Sequence, residues 1–284
     1  MNTFLIVFLV LALLLGAKFI LPKYQTQKSS YLEKVASVQK DSIQRIELIK
    51  NTDKVDLVKE SGTWKVNGKN ADSVKINNLM TFLLTTNPPE EIAQTDKRHN
   101  ELELTDDKAL KIKLGDSLTF LVGKSTGFET YLRFEGNPTV YRLAFGPDIS
   151  AKISDWYDTT VLSVDRAKLT KLTFRDTGTT ALIKKDDKWV SEGDGKETNT
   201  EKMDGVLLAL SQLTAQSLYD ETLKTWYPTV PAMTLVVDYD GKSETLDFYK
   251  GENDYLVKRA SDGERFIINE SNISSLINAR KEIF

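Results

Sequence analysis

The chain has 284 residues, with 38 Lys and Arg against 41 Asp and Glu, a formal net charge of -3, one His and no Cys. That length suits roughly two domains. Without Cys there can be no disulfide, thiolate zinc site, iron–sulfur cluster, cysteine nucleophile or acylated-Cys anchor, and one imidazole excludes any site that needs two. The near-even charge balance offers no basic stripe, so no nucleic acid is expected among the partners.

Residues 4–17 form an unbroken apolar run, which Phe19, Ile20 and Leu21 extend past Lys18. As a helix, residues 4–21 would reach roughly 27 Å at about 1.5 Å per residue, enough to cross a hydrocarbon core. Lys18 would snorkel to the headgroups, and Pro22 would end the helix. A cleaved signal peptide competes with this reading. Against it stand an n-region without Lys or Arg and Leu15 where a cut after Ala17 wants a small residue. The expectation is therefore a transmembrane anchor at 1–22, with the lipid bilayer as partner, and a polar juxtamembrane stalk or helix at 23–41.

The remainder reads as one pattern written twice, at 42–155 and 156–284. Each copy opens with short strands, the last of which carries a Trp, Trp64 and Trp189. A helix follows in each. Ile76, Leu79, Met80 and Leu83 recur at helical spacing in one, and Met203, Val206, Leu207 and Leu210 in the other. Asp72 or Ser73, and Asn199 or Thr200, are the expected N-caps. Two strand pairs then follow in each copy. Leu118, Phe120 and Gly123 echo Leu246, Phe248 and Gly251, while Tyr131 and Tyr141 echo Tyr255 and Phe266. Asp240-Gly241 and Asp262-Gly263 supply hairpin turns. A short helix closes each copy, at 148–153 and 272–277. The expected fold class is α+β: an N-terminal transmembrane helix, then two tandem duplicated modules, each an antiparallel sheet with helices on one face.

No site chemistry emerges from the motifs. His99 lies in a charged stretch where a solvated imidazole is expected. No GxSxG, HExxH, P-loop or GxGxxG spacing occurs. The acidic pairs Asp106-Asp107 and Glu192/Asp194 lack the ligand alternation of a calcium loop and read as turns. No catalytic, cofactor or metal residue is expected, and the chain is not expected to be an enzyme. The remaining functional candidates are aromatics at element boundaries, Trp156-Tyr157 and Trp226-Tyr227, either as partner contacts or as plugs between layers.

The repeated order of strands, single Trp, amphipathic helix, strand pairs and L-x-F-x-x-G resembles the bacterial family known as domain of unknown function 4340. The resemblance covers about 42–277 and includes Trp64 and Trp189 with the I-x-x-I-x-L opening of Ile43, Ile46 and Leu48. The family's G-L-x-x-P-like element is degenerate here, with Leu104 kept in one copy and Pro231 in the other. The resemblance carries no catalytic residues. It implies a membrane-anchored envelope protein, like auxiliary subunits of ABC-type transport systems of the gliding-motility kind. The bulk of the chain would then lie outside the cytoplasmic membrane, bind or scaffold, and have a membrane-protein partner. The lysines after the apolar run, Lys18, Lys23, Lys28, Lys34 and Lys40, argue the opposite orientation by the positive-inside rule. An alternative function is envelope glycan or peptide binding in a cleft between the two copies.

Overall fold

The computed structural model describes residues 30–222 and 226–284, which fall into two units, Met1–Trp156 and Tyr157–Phe284. The first unit begins with α1 (Ser30–Ala36), followed by β1 (Arg45–Lys50), β2 (Asp53–Glu60), β3 (Thr63–Val66) and β4 (Lys69–Asn70). After α2 (Ser73–Leu83) come β5 (Glu90–Ala93), β6 (Leu110–Leu114), β7 (Leu118–Ser125), β8 (Glu129–Phe134) and β9 (Val140–Ala144). These strands form one sheet in the order β4-β3-β2-β1-β6-β7-β8-β9-β5, with every pair antiparallel.

The second unit contains β10 (Thr160–Leu162), β11 (Leu169–Arg175), β12 (Thr179–Lys185), β13 (Lys188–Ser191), α3 (Thr200–Ser211), β14 (Leu213–Thr214) and β15 (Ser217–Leu218). It continues with β16 (Met233–Tyr239), β17 (Lys242–Lys250), β18 (Asp254–Arg259), β19 (Arg265–Asn269) and α4 (Glu270–Glu282). Its main sheet runs β13-β12-β11-β16-β17-β18-β19-β15, and β10 pairs with β14. Apart from β4, which has no partner in the second sheet, the two main sheets share one connectivity.

Strict alternation sorts the side chains of each strand between two faces. In β1, Ile46 and Leu48 are buried while Arg45 and Glu47 face outward. Outside, Glu47 accepts from Lys54 at 2.8 Å and lies 3.4 Å from Lys113, and Arg45 holds Asp56 through two bonds of 2.7 Å. The inner face carries the core. In the second unit, Leu172, Phe174, Leu235 and Phe248 pack with Met203, Val206 and Leu210 of α3 and with Ile273 and Leu276 of α4. The caps form at Asp72 and Asn199, whose side chains accept from Lys75 N and Lys202 N. Each offsets an orphan helical amide, contributing about 1 kcal/mol.

The first unit has no counterpart of α4 at its C-terminal end; instead α1 packs on the inner face. Tyr31 of α1 is fully buried, with its ring 5.1 Å from that of Tyr141, 5.2 Å from Phe134 and 6.4 Å from Phe120. Its hydroxyl donates at 2.6 Å to the carbonyl of Leu83, the last residue of α2. That carbonyl is one of the four that a helix leaves without an internal partner, so Tyr31 both fills the core and caps α2.

Several expectations are corrected. The expected α+β class with an N-terminal transmembrane helix gives way to a chain dominated by antiparallel sheet, with α-helix confined among the described residues to α1–α4. No helix among the described residues is long and apolar enough to cross a membrane, and residues 4–21, where the anchor was expected, lie outside them. The helix expected at 148–153 is irregular chain followed by a 3-10 turn at Ile153–Trp156. The helix expected at 272–277 is longer at both ends, running from Glu270 to Glu282, with Asn269 at its N-cap position but no side-chain bond there.

The repeat match also slides. Trp64 stands opposite Lys59 and Trp189 opposite Lys184. Counting across the ladders from those pairs matches Ile46 with Leu172, Leu114 with Val237, and Phe120 with Leu246 rather than with Phe248. Tyr141 does match Phe266, but Tyr131 matches Leu256 on the outer face, whereas Tyr255 is buried inside. A slip of two preserves the face and escapes hydrophobic patterning; a slip of one exchanges the faces. His99 is also buried rather than solvated, its Nε2 lying 2.9 Å from the carbonyl of Pro138. The loop that carries it is folded down onto the sheet.

Candidate functional site

The two aromatic pairs have separate fates. Trp156 is 1% exposed, its Nε1 donates at 2.8 Å to Ser150 O, and Lys75 Nζ stands 5.1 Å over its ring. Asp72 N, at the cap of α2, donates to the Trp156 carbonyl at 2.9 Å. Trp156 is thus a plug that fixes the start of α2. Tyr157 is half-buried against the core of the second unit. Trp226 is 80% exposed, and Tyr227 beside it is half-buried.

Trp226 and Tyr227 border a depression of about 650 Å³ on the outer face of the second sheet. Its floor is made by alternate residues of neighbouring strands, Tyr249 of β17, Leu256 and Lys258 of β18, and Arg265 of β19. The same two aromatics border a second depression of about 600 Å³ with Lys250 and Asp254. Trp226 therefore belongs to both.

The wall is held in place by specific bonds. The Tyr227 hydroxyl donates to Asp254 Oδ1 at 2.9 Å, and its ring meets Tyr219 edge-on with centroids 6.0 Å apart. Burial, reinforced by the Asp254 carboxylate, raises the Tyr227 phenol well above its ordinary range, so it stays protonated and donating. Burial likewise raises Tyr249, aided by Asp247. Arg265 lies 5.0 Å over the Tyr219 ring and is ion-paired with Glu221. Gly251 is what lets this wall close. A Cβ there would stand 2.3 Å from Asp254 Oδ1 and 2.9 Å from Tyr227 Cε1. The glycine of the L-x-F-x-x-G pattern is thus needed for close approach of the loop to β17.

Sequence reasoning found Trp226 and Tyr227 but missed Tyr249, Leu256, Lys258 and Arg265. Their signal was the strand parity, since all four stand on the outward side of their strands. It also missed Phe128 and Phe145 of the first unit. These are 73% and 76% exposed, border a depression of about 610 Å³, and are joined by a Phe145 N to Phe128 O bond of 2.9 Å. Among the described residues no group of three or more His, Cys, Asp or Glu is placed to hold a metal ion.

The fold and this face define a protein of two duplicated antiparallel-sheet units, one of which presents an aromatic and cationic surface. The family model described as "Domain of unknown function (DUF4340)" matches residues 71–228. That is more than half of the chain, and the chain belongs to this family. No curated protein and no solved structure matches it.

Proposed function

We propose that this protein is a non-enzymatic binding or scaffold protein of the cell envelope, and that its second unit docks a partner through the face around Trp226. The observation that carries the reading is the exposed indole of Trp226 above a floor of Tyr249, Leu256, Lys258 and Arg265. Trp, Tyr and Arg are the residues that dominate interface energetics. Tyr227 and Asp254 form a fixed hydrogen bond whose phenol stays protonated, which suits holding a surface in shape rather than moving protons near neutral pH.

Membership of the DUF4340 family, and the resemblance to membrane-anchored envelope proteins, support a place at the cytoplasmic membrane with both units on its extracytoplasmic side. The apolar composition of residues 4–21 supports proximity to lipid. In this reading the partner is a membrane subunit of an ABC-type transport complex, to which the chain is accessory. The test is crosslinking and affinity purification of the full chain from its native membrane, beside the Trp226→Ala variant. Recovery of transporter subunits with the wild type and their loss with the variant is the expected result. Equal recovery with both removes this face from the reading, and failure to recover any membrane protein overturns the accessory role.

A further inference from the structure

The ladder match between the two sheets sets Glu129 against Asp254 and Ala144 against Asn269, so Phe128 corresponds to Asn253 and Phe145 to Glu270. One backbone bond is common to both pairs. Phe145 N donates to Phe128 O at 2.9 Å, and Glu270 N to Asn253 O at 3.5 Å. The second unit thus closes the same strand ends with polar residues, and the closure itself does not call for two phenylalanines. Yet the first unit holds both rings in solvent. Phe145 does so with φ of 53°, a left-handed conformation that suits Asn or Gly and disfavours a bulky side chain.

The stretches around these rings lack charge. Residues 81–89, 125–128 and 143–147, which meet at the depression beside the rings, contain no Asp, Glu, Lys or Arg. Gly146 lets the last of them close down, since a Cβ there would stand 2.3 Å from Thr130 Oγ1 and 3.0 Å from Phe82 Cζ. The charged groups at the border are paired with one another: Arg142 Nη1 donates to Glu129 Oε1 at 2.8 Å, and its Nη2 pairs with Glu90. The described chain also begins at this end of the unit. Ser30 is hydrogen-bonded to the Tyr141 hydroxyl, and Tyr31 donates to the carbonyl of Leu83, the residue after Phe82. Lys34, one turn further on, lies over Phe134 at the other end of β8. We infer that Phe128 and Phe145 insert into the interfacial layer of a lipid bilayer and hold this end of the first unit against it. Reach favours lipid as the occupant: with residues 4–21 in the bilayer, the eight residues 22–29 keep Ser30 within about 28 Å of it. Chemistry favours it too, because protruding Phe rings on an uncharged rim suit a lipid surface, whereas protein hot spots draw on Trp, Tyr and Arg.

This inference rests on the membrane placement proposed above, and the two are separable. Because the chain has no Cys, single nitroxide labels can be set at Phe128→Cys and Phe145→Cys, with Asp116→Cys as the aqueous reference. Asp116 is exposed in the turn between β6 and β7, at the other end of the sheet. The full chain is reconstituted into phosphatidylcholine vesicles with a minor share of phosphatidylglycerol, checked by flotation, and each label is read by its collisions with oxygen, which concentrates in lipid, and with a water-soluble nickel chelate. A ratio of oxygen to nickel collisions several-fold higher at residues 128 and 145 than at 116 is expected. Phe145→Asp, a residue that tolerates positive φ but resists lipid, should return the label at 128 to the ratio of the reference. All these positions are exposed, and an unchanged circular dichroism spectrum verifies that the fold is kept. Ratios at 128 and 145 equal to that at 116, in a chain that floats with the vesicles, overturn the inference and leave the membrane placement standing. Labels shielded from both reagents overturn it in favour of a protein covering the patch. A chain that does not float overturns the membrane placement itself, and the inference with it.

Discussion

Replacement of Tyr31 tests whether α1 is an integral part of the first unit. The side chain is fully buried, with its ring 5.1–5.2 Å from those of Tyr141 and Phe134, and its hydroxyl caps the Leu83 carbonyl at 2.6 Å. Tyr31→Phe keeps the ring and removes one hydrogen bond, for an expected loss of about 1 kcal/mol. Tyr31→Ala removes the ring as well and leaves a cavity, for a loss of about 3–5 kcal/mol on the scale of buried aromatic truncations. For a unit of this size each kcal/mol moves the midpoint by about 3–5 °C. In differential scanning calorimetry the first unit's transition should fall by a few degrees for Phe and by about 10–20 °C for Ala. A Leu235→Ala variant, placed in the core of the second unit, identifies the other transition. A first-unit midpoint within about 2 °C of wild type in Tyr31→Ala would show that α1 is a free stalk, and the packing argument would fail.

Alkaline titration should separate Tyr31→Phe from wild type. Burial holds the Tyr31 phenol above its ordinary value, so the stability it contributes is fully present below about pH 10 and is lost as pH rises beyond that. Urea midpoints measured from pH 8 to 11 should therefore fall more steeply for wild type than for Tyr31→Phe. At the acid end, the Arg259 hydrogen bond lowers the Asp262 carboxyl, and the hydrogen bond from Lys54 lowers Glu47. Their contributions are present above about pH 4 and vanish as pH falls through the lowered values. Asp262→Asn should flatten the decline of stability between about pH 5 and 2, and an unchanged slope would refute the role of that pair. Gly251→Ala forces Asp254 and Tyr227 apart; a loss of about 1–3 kcal/mol is expected, with loss of the Tyr219–Tyr227 contact in NMR. Trp226→Ala, at an exposed position, should change stability by no more than about 0.5 kcal/mol while abolishing partner recovery.

Much of the architecture was legible in residue order because two periodicities wrote it there. The helical stripes from Ile76 to Leu83 and from Met203 to Leu210, the caps Asp72 and Asn199, and the Asp240-Gly241 turn, with φ of 48° and 72°, are local facts of spacing and sterics. The recurring Trp64 and Trp189 mark the duplication for the same reason, since each fills the same ladder position. Phe4 to Leu21 and the envelope role are a different matter: hydropathy raises the one and the family resemblance the other, and the described fold reaches neither.

What only tertiary structure decided is where local signals compete or are silent. The stretch holding Tyr31 reads as polar, and the Tyr31 ring is drawn into the core because the first unit lacks a closing helix to cover that part of the sheet. Conversely, Ile149 and Ile153 stand four apart like a helical face, yet no regular helix forms at 148–153, as the 3-10 turn at Ile153–Trp156 and the buried Trp156 set the path of the chain. The proposed binding face was illegible for a further reason. Arg133 and Lys258 are similar cations in similar strands, and only the fold shows that one is buried and the other exposed. Sequence periodicity determines which side of a strand a residue takes; whether that side is covered depends on segments distant in the chain.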